Sequence, residues 1–358
     1  MGRISLVLPA CLLLSLIPVC GQSADLAKAT QPASLPANTL QIRLDVQVTD
    51  KSGAPVRGLQ KQDFTLLDGK QPLDILSLQA VERPPSGGES AVEVVLVVDA
   101  INATQDTVTY ERKELRRFLL QNGGKLAQPV AIVFFVGAGA LVNSDFSQDG
   151  NSLFAKYKDY ETGQQNTNLT GTRIPQLAER FDVSVRTFSN LAVSLRKRPG
   201  RKLMVWISPG WPLLSGRNLQ LSPKAYEGLF ESIVKVSTAL READVTVYDV
   251  DPLGVANAGG TRLVYYQDFL KGVTGPSKVE PADLALQVLA IQTGGRVLNS
   301  SNDLTAEIGK CSSDADSYYI LSFNPPPADN ANEYHSLALS VNKPGTMART
   351  RTGYYNQP

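Results

Sequence analysis

The sequence predicts an α/β fold: a central, mostly parallel sheet flanked by helices, with a small β-sandwich-like unit built from N- and C-terminal strands. Three observations carry this. Apolar strand runs alternate with amphipathic helical stretches through residues 92–315, the pattern of a doubly wound parallel sheet. Residues 40–82 instead show period-two strands around an Asp68-Gly69 turn signal. Beyond residue 317 the helical period ends, and Pro- and Asn-rich turns separate strand-like runs within 317–356. A strand set must cover one face, so the economical arrangement packs the two ends together as one sandwich, with the α/β domain inserted between them.

Within the first unit, "TLQIRLDVQVTD" alternates Ile42, Leu44, Val46 and Val48 with Arg43, Asp45, Gln47 and Thr49, which predicts a half-buried strand. "FTLLDGKQPLDILSL" reads as two strand-like runs about Asp68-Gly69, and "ERPPSGGES" as a linker. In the α/β region, strands are expected at 92–99, 130–136, 202–207, 245–249 and 296–298, with a shorter edge strand over 141–146. Helices are expected in "DTVTYERKELRRFLLQN" and in a long segment opened by Pro175 and stopped by Pro199-Gly200. Another has Ser222 as N-cap and Pro223 at its first position. "EPADLALQVLAIQTGG" predicts a helix ending at Gly294-Gly295, and "SNDLTAEIGKCSSD" the last helix. At the C-terminus, "SYYILSFNPPP", "EYHSLALSVN" and "TMARTRTGYY" predict three strands.

Composition narrows the function classes. Hydrophobic residues make up 42% and charged residues 19%, so a sizeable core forms and global disorder is excluded. Lys+Arg number 35 against 34 Asp+Glu, a balance that gives no electrostatic case for nucleic acid or an acidic membrane surface. The opening "MGRISLVLPACLLLSLIPVCGQSA" predicts a signal peptide over residues 1–21, followed by a flexible tether over 22–39. Its apolar run is short and interrupted by proline, which argues against a transmembrane helix. Export then leads to a secreted or periplasmic location. Lipid anchoring at Cys20 is disfavoured because Val19 stands where a lipobox wants a small residue. Past residue 21 only Cys311 remains, so no internal disulfide is expected and the thiol is expected to be buried and inert.

The order of parts resembles the von Willebrand factor A-related proteins of the acidobacterial type. The motifs that carry the resemblance are "VTDKSGAPVRGLQKQDFTLLDGK", "VVLVVDAIN", "GRKLMVWISPGW", "ALREADVTVYDVDPLGV", "LAIQTGGRVLNSSNDL" and the closing "RTGYY". The resemblance implies a Rossmann-like von Willebrand A domain on an exported protein, and implies little about activity.

It also implies where a metal would sit. A domains that bind Mg²⁺ use Asp-x-Ser-x-Ser after the first strand, a Thr from a later loop and an Asp after the fourth strand, oxygen ligands suited to a hard cation. Here the first motif reads Asp99-Ala100-Ile101-Asn102-Ala103, with carbon side chains where both hydroxyls should be. The threonine is Thr170 or Thr172, and Pro209 in "WISPGW" occupies the place of the second Asp. A rearranged site would use Asp99, Thr172 and Asp251, the last in "VYDVDPLG" on the same sheet edge. Asn102, Thr170, Pro209 and Asp249 complete the candidate interaction edge. The plainer account has Asp251-Pro252 starting a turn, with Asp249 accepting backbone N–H groups there.

No catalytic constellation emerges. The single histidine, His335, falls in a C-terminal strand, where a surface or half-buried position is expected, and nothing local supplies a nucleophile. Zinc is excluded for want of a His/Cys cluster, and the glycine pairs lack phosphate-loop spacing. The basic runs "RKELRR" and "LRKRPGRK" read as solvated faces. The expectation is an exported, non-catalytic interaction module with a degenerate A domain and no cofactor, its partner a protein or envelope component. The alternatives are Mg²⁺-dependent adhesion through the rearranged site and, behind it, a hydrolase.

Overall fold

The structure, a computed structural model, describes residues 41–83, 92–136, 139–142, 145–161, 174–212, 214, 221–254 and 265–358. The predicted signal peptide and tether, Thr170 and Thr172 lie outside the described residues.

The two ends of the chain do fold together. Strands β1 (Ile42–Asp50), β2 (Phe64–Asp68), β3 (Gln71–Leu73) and β4 (Ile75–Glu82) interleave with four C-terminal strands, here β12 (Ser317–Phe323), β13 (Glu333–Val341), β14 (Thr346–Arg349) and β15 (Gly353–Asn356). One sheet runs β14-β1-β12-β4 and the other β15-β13-β2-β3. Ile42, Leu44, Val46, Phe64, Leu66, Leu321, Phe323 and Tyr354 fill the space between them. The hairpin turns as its sequence suggested: Asp68 pairs with Gln71, and Gly69 takes the left-handed φ of 59° at the first turn position. "TMARTRTGYY" is two strands where one was expected. β14 pairs with β1 while β15 pairs with β13, so the chain changes sheet across Thr350–Thr352.

Between the ends lies the α/β domain. Its strands are β5 (Val92–Asp99), β6 (Lys125–Val136), β7 (Gly139–Val142), β8 (Ser147–Asp149), β9 (Arg201–Ile207), β10 (Val245–Val250) and β11 (Val297–Leu298). The sheet order is β11-β10-β9-β5-β6-β7, parallel except for β7, with β8 also antiparallel to β6. The order reverses between β5 and β9, and such a switch point opens a crevice at the carboxyl ends of those two strands.

Both faces of the sheet are covered, which is why β5 and β9 read as continuous apolar runs. On one face Val95, Val97, Met204 and Trp206 meet Phe181 and Phe188 of α3 (Ile174–Leu195), Phe230 and Ile233 of α4 (Pro223–Glu242) and Leu289 of α5 (Leu286–Gln292). On the other, Val94, Leu96, Leu203 and Val205 meet Leu115 and Phe118 of α1 (Gln105–Leu120), Leu153 and Tyr157 of α2 (Gly150–Glu161) and Ile308 of α6 (Leu304–Ser312). Caps fix the helix starts. Thr104 accepts from Thr107 N, Ser222 from Ala225 N, with Pro223 at the first position as expected, and Asp303 from Ala306 N.

Two helical segments differ from expectation. The helix expected over "EPADLALQVLAIQTGG" is broken: a 3-10 turn covers Pro281–Leu284, Ala285 is extended (ψ 145°), and α5 follows. Leu284, Ala285 and Leu286 are all buried, and three consecutive residues cannot share one helix face, so the break lets each reach the core. It still ends at Gly294 (φ 85°), and a Cβ at Gly295 would overlap the Val247 carbonyl oxygen. Helix α2 was not anticipated. Its start is held by Asp149, whose Oδ1 accepts from Asn151 N and Ser152 N at 3.0 and 3.1 Å.

The polar face of β1 is also covered. Gln47 donates to the Asp314 carbonyl, and Asp45 lies 2.9 Å from Arg201 Nε, both side chains nearly dry. Strand periodicity reads that face as solvent. Here it is the seam on which the sandwich meets the α/β domain.

Candidate functional site

The crevice between β5 and β9 is closed from within, and Asp99 is the group that closes it. Period two places Val97 and Asp99 on one face of β5, and Trp206 pairs beside Val97 on β9, so the indole lies along the face toward the carboxylate. Trp206 Nε1 donates to Asp99 Oδ2 at 3.0 Å, and Ser208 Oγ donates to the same oxygen at 2.9 Å. On the other side, Oδ1 accepts from Ile101 N at 3.1 Å and Asn102 N at 3.0 Å, while Asn102 Nδ2 reaches both oxygens at 3.2 and 2.9 Å. Every one of these partners is a donor, and Asp99 is wholly buried. Burial pushes its carboxyl up from the ordinary aspartate range, and the donors from Asn102, Trp206 and Ser208 pull it back.

The surroundings hold this arrangement in place. Ser208 Oγ accepts from Gly210 N at 3.0 Å, and Asn102 Nδ2 also donates to Ser184 Oγ at 3.0 Å, which ties the loop after β5 to α3. Ile101, where the metal-binding pattern has a hydroxyl, is 3% exposed and belongs to the apolar core beneath the crevice. That core is aromatic: Trp206 lies edge-on to Phe135 and Trp211 at 5.6 and 5.5 Å, and Phe188 touches both tryptophans. Pro209 is half-buried, and Gly210 takes φ 90° where a Cβ would overlap Gln287 Nε2.

The other anticipated residues divide. Asp251 behaves as a turn residue, its Oδ1 accepting from Leu253 N at 2.8 Å while its carbonyl accepts from Gly254 N. Asp249 is buried on β10, near enough to Tyr266 that its charge adds to burial in holding that phenol up. Sequence reasoning missed Glu111. It lies on α1 on the stripe of Val108, Leu115 and Phe118, is 0% exposed, and neither carboxylate oxygen has a hydrogen-bond partner among the described residues. Burial pushes it well above the ordinary glutamate range, and the charges of Asp99 and Asp251 act the same way against Arg112. An acidic residue on the apolar stripe of an amphipathic helix was the signal available. Among the described residues no group of three or more His, Cys, Asp or Glu is arranged to hold a metal ion.

His335 is more buried than expected. Its Nδ1 lies 2.7 Å from Asp68 Oδ2, its ring stacks on Tyr354 at 5.0 Å, and no Ser, Thr or Cys side chain bonds to either nitrogen among the described residues. Cys311 is buried as anticipated, and burial raises its thiol well above the ordinary range.

Strand order, the antiparallel edge strand and a carboxylate at the switch point define the architecture. The fold is a mostly parallel α/β sheet flanked by helices and joined to a two-sheet β-sandwich. No protein-family model matches the chain, and no curated protein matches it. Solved structures do. A point mutant of the PilB minor pilin from Streptococcus sanguinis is 14% identical, with 76% of this chain and 78% of that one covered and a TM-score of 0.38. The pilus adhesin SpaC from Lactobacillus rhamnosus GG, in its open conformation, is 11% identical, with 86% and 49% covered and a TM-score of 0.39, so the chain spans about half of SpaC. The SpRpn10 VWA domain is 10% identical, with 61% and 95% covered and a TM-score of 0.30. Among the described residues, no helix is long and apolar enough to cross a membrane.

Proposed function

We propose that the protein is an exported, non-catalytic interaction module whose A-like domain binds a protein or envelope component without a metal. The observation that carries this reading is the saturation of Asp99. A Mg²⁺ ion at this carboxylate would have to displace the Trp206 indole and the Ser208 hydroxyl, and would find Ile101 and Pro209 where oxygen ligands are needed. The donor set therefore does not fit the ion. What the edge offers a partner is a fixed surface of loop backbone and small side chains around Asn102, Ala103, Pro209 and the exposed start of α1. Export rests on the N-terminal apolar run after Arg3.

Asp99 and Asp251 both bear on Glu111, which is the one observation favouring a rearranged cation site; the closed hydrogen-bond shell of Asp99 outweighs it. Capture of partners from the organism's own envelope fraction by the tagged exported chain, with and without chelator, tests the proposal. The expected result is capture indifferent to EDTA and lost on Gln105→Arg at the exposed start of α1. Capture abolished by EDTA and restored by Mg²⁺ would overturn the metal-free reading.

A further inference from the structure

The seam between the sandwich and the α/β domain holds a polar recess that opens to solvent, about 280 Å³ with its open mouth included, lined by Arg43, Asp45, Arg241, Asp244, Thr246 and Arg351 among others. Its three arginines come from three parts of the fold: Arg43 from β1, Arg241 from the last turn of α4, and Arg351 from the crossing between β14 and β15.

Their guanidinium groups are almost unused. Among the described residues, the side chains of Arg43 and Arg241 make no hydrogen bond or ion pair, and Arg241 Nε is buried without a partner. Arg351 is 9% exposed, and its one hydrogen bond is a long one, from Nη2 to Val245 O at 3.5 Å. Arg351 is held down to about 10, by burial first and then by the facing charge of Arg241, against the pull of Asp244 and Asp45. Burial also lowers Arg241. Of the two carboxylates, Asp45 is engaged by Arg201 at 2.9 Å, and Asp244 has no cation within ion-pair distance among the described residues. Three arginines thus face one uncommitted carboxylate. A buried guanidinium with idle donors costs free energy until something accepts from it.

We propose that this recess binds a tetrahedral oxyanion, free phosphate or the phosphate of a monoester, between Arg241 and Arg351 with Arg43 at its exposed rim. Planar guanidinium forks approaching from different directions suit an anion with several equivalent oxygens. A bound oxyanion would bridge β1, the β14–β15 crossing and α4, and so stiffen the seam.

Thermal unfolding of the exported chain tests this, with inorganic phosphate titrated at ionic strength held constant by sodium chloride. The expected result is a saturable rise in Tm of several degrees that chloride does not reproduce. Arg241→Gln and Arg351→Gln should each weaken the apparent Kd at least about tenfold, and Arg43→Gln less. Should Arg351→Gln not fold, Arg241→Gln and Arg43→Gln carry the test. In phosphate-free buffer Arg241→Gln should keep or raise Tm, because it removes the like charge facing Arg351; a purely structural arginine would lower it. A glycerol phosphate arm separates the sources. Tighter binding of the ester assigns a monoester, tighter binding of inorganic phosphate assigns the free ion, and both support the site. No response beyond that of chloride, or a wild-type phosphate response in Arg241→Gln, overturns it.

Discussion

Trp206 donates its indole N–H to Asp99 Oδ2 at 3.0 Å, across the switch point of the sheet. With Ser208 on the same oxygen, this carboxylate anchors a buried hydrogen-bond cluster. The cluster joins the ends of β5 and β9 and, through Asn102 and Ser184, fastens α3 to them.

Removing a donor leaves a buried acceptor short of partners. Trp206→Phe and Ser208→Ala should each destabilise the protein by about 1–3 kcal/mol, read as a lowered denaturant midpoint at unchanged m-value. A change within error in both would show that the cluster has no energetic weight.

Glu111 predicts an unusual pH dependence. Its folded-state carboxyl lies well above the unfolded value near 4.5, so the native state binds more protons than the unfolded state in the window above that value. Stability from this group is full below the unfolded pKa and falls as pH rises toward the folded one. Glu111→Gln should therefore gain stability over wild type as pH rises above the ordinary glutamate value of 4.5. Asp99 titrates in the same sense and its charge bears on Glu111, so the difference between the two stability curves reports the loss of Glu111 together with its coupling to Asp99. A difference that is flat with pH would sink this account of the side chain.

Asp314 is the polar fastener of the seam. Its carboxylate accepts from Tyr248 Oη and Arg349 Nη2, each at 2.7 Å, and from Arg296 Nη2 at 3.0 Å, while its carbonyl accepts from Gln47 and Arg201. Arg349 and Gln47 belong to the sandwich, and Tyr248 and Arg201 to the α/β domain. The wild type is expected to unfold in a single transition; Asp314→Ala should cost about 3 kcal/mol and split that transition into two. A single transition, shifted only slightly, would show that apolar contacts alone couple the two parts.

Much of this fold was legible because its signals are local. The Val-rich runs of β5 and β9, the Ser222-Pro223 helix start and the Gly69 turn each state their structure within a few residues. Signals that depend on what lies opposite were not. The polar side of β1 looks solvated until Asp314 and Arg201 are placed against it. Helix α5 looks continuous with the preceding turn until Leu284 and Leu286 both need the core. At the site, Asp99 and the missing hydroxyls at Ile101 and Ala103 stood out in the sequence, whereas Trp206 did not. Its approach to Asp99 depends on strand register and sheet order, neither of which a linear motif records.

We propose that the Asp99 site is closed to metal by its own hydrogen bonds. The sequence has two tryptophans, Trp206 and Trp211, and both lie in the aromatic cluster beneath Asp99. Intrinsic fluorescence therefore reports directly on this carboxylate. Mg²⁺ should be titrated to millimolar concentration into EDTA-treated protein, with emission and Tm followed together. The account predicts that neither changes. A saturable shift in emission, with a matching rise in Tm that EDTA reverses, would contradict it.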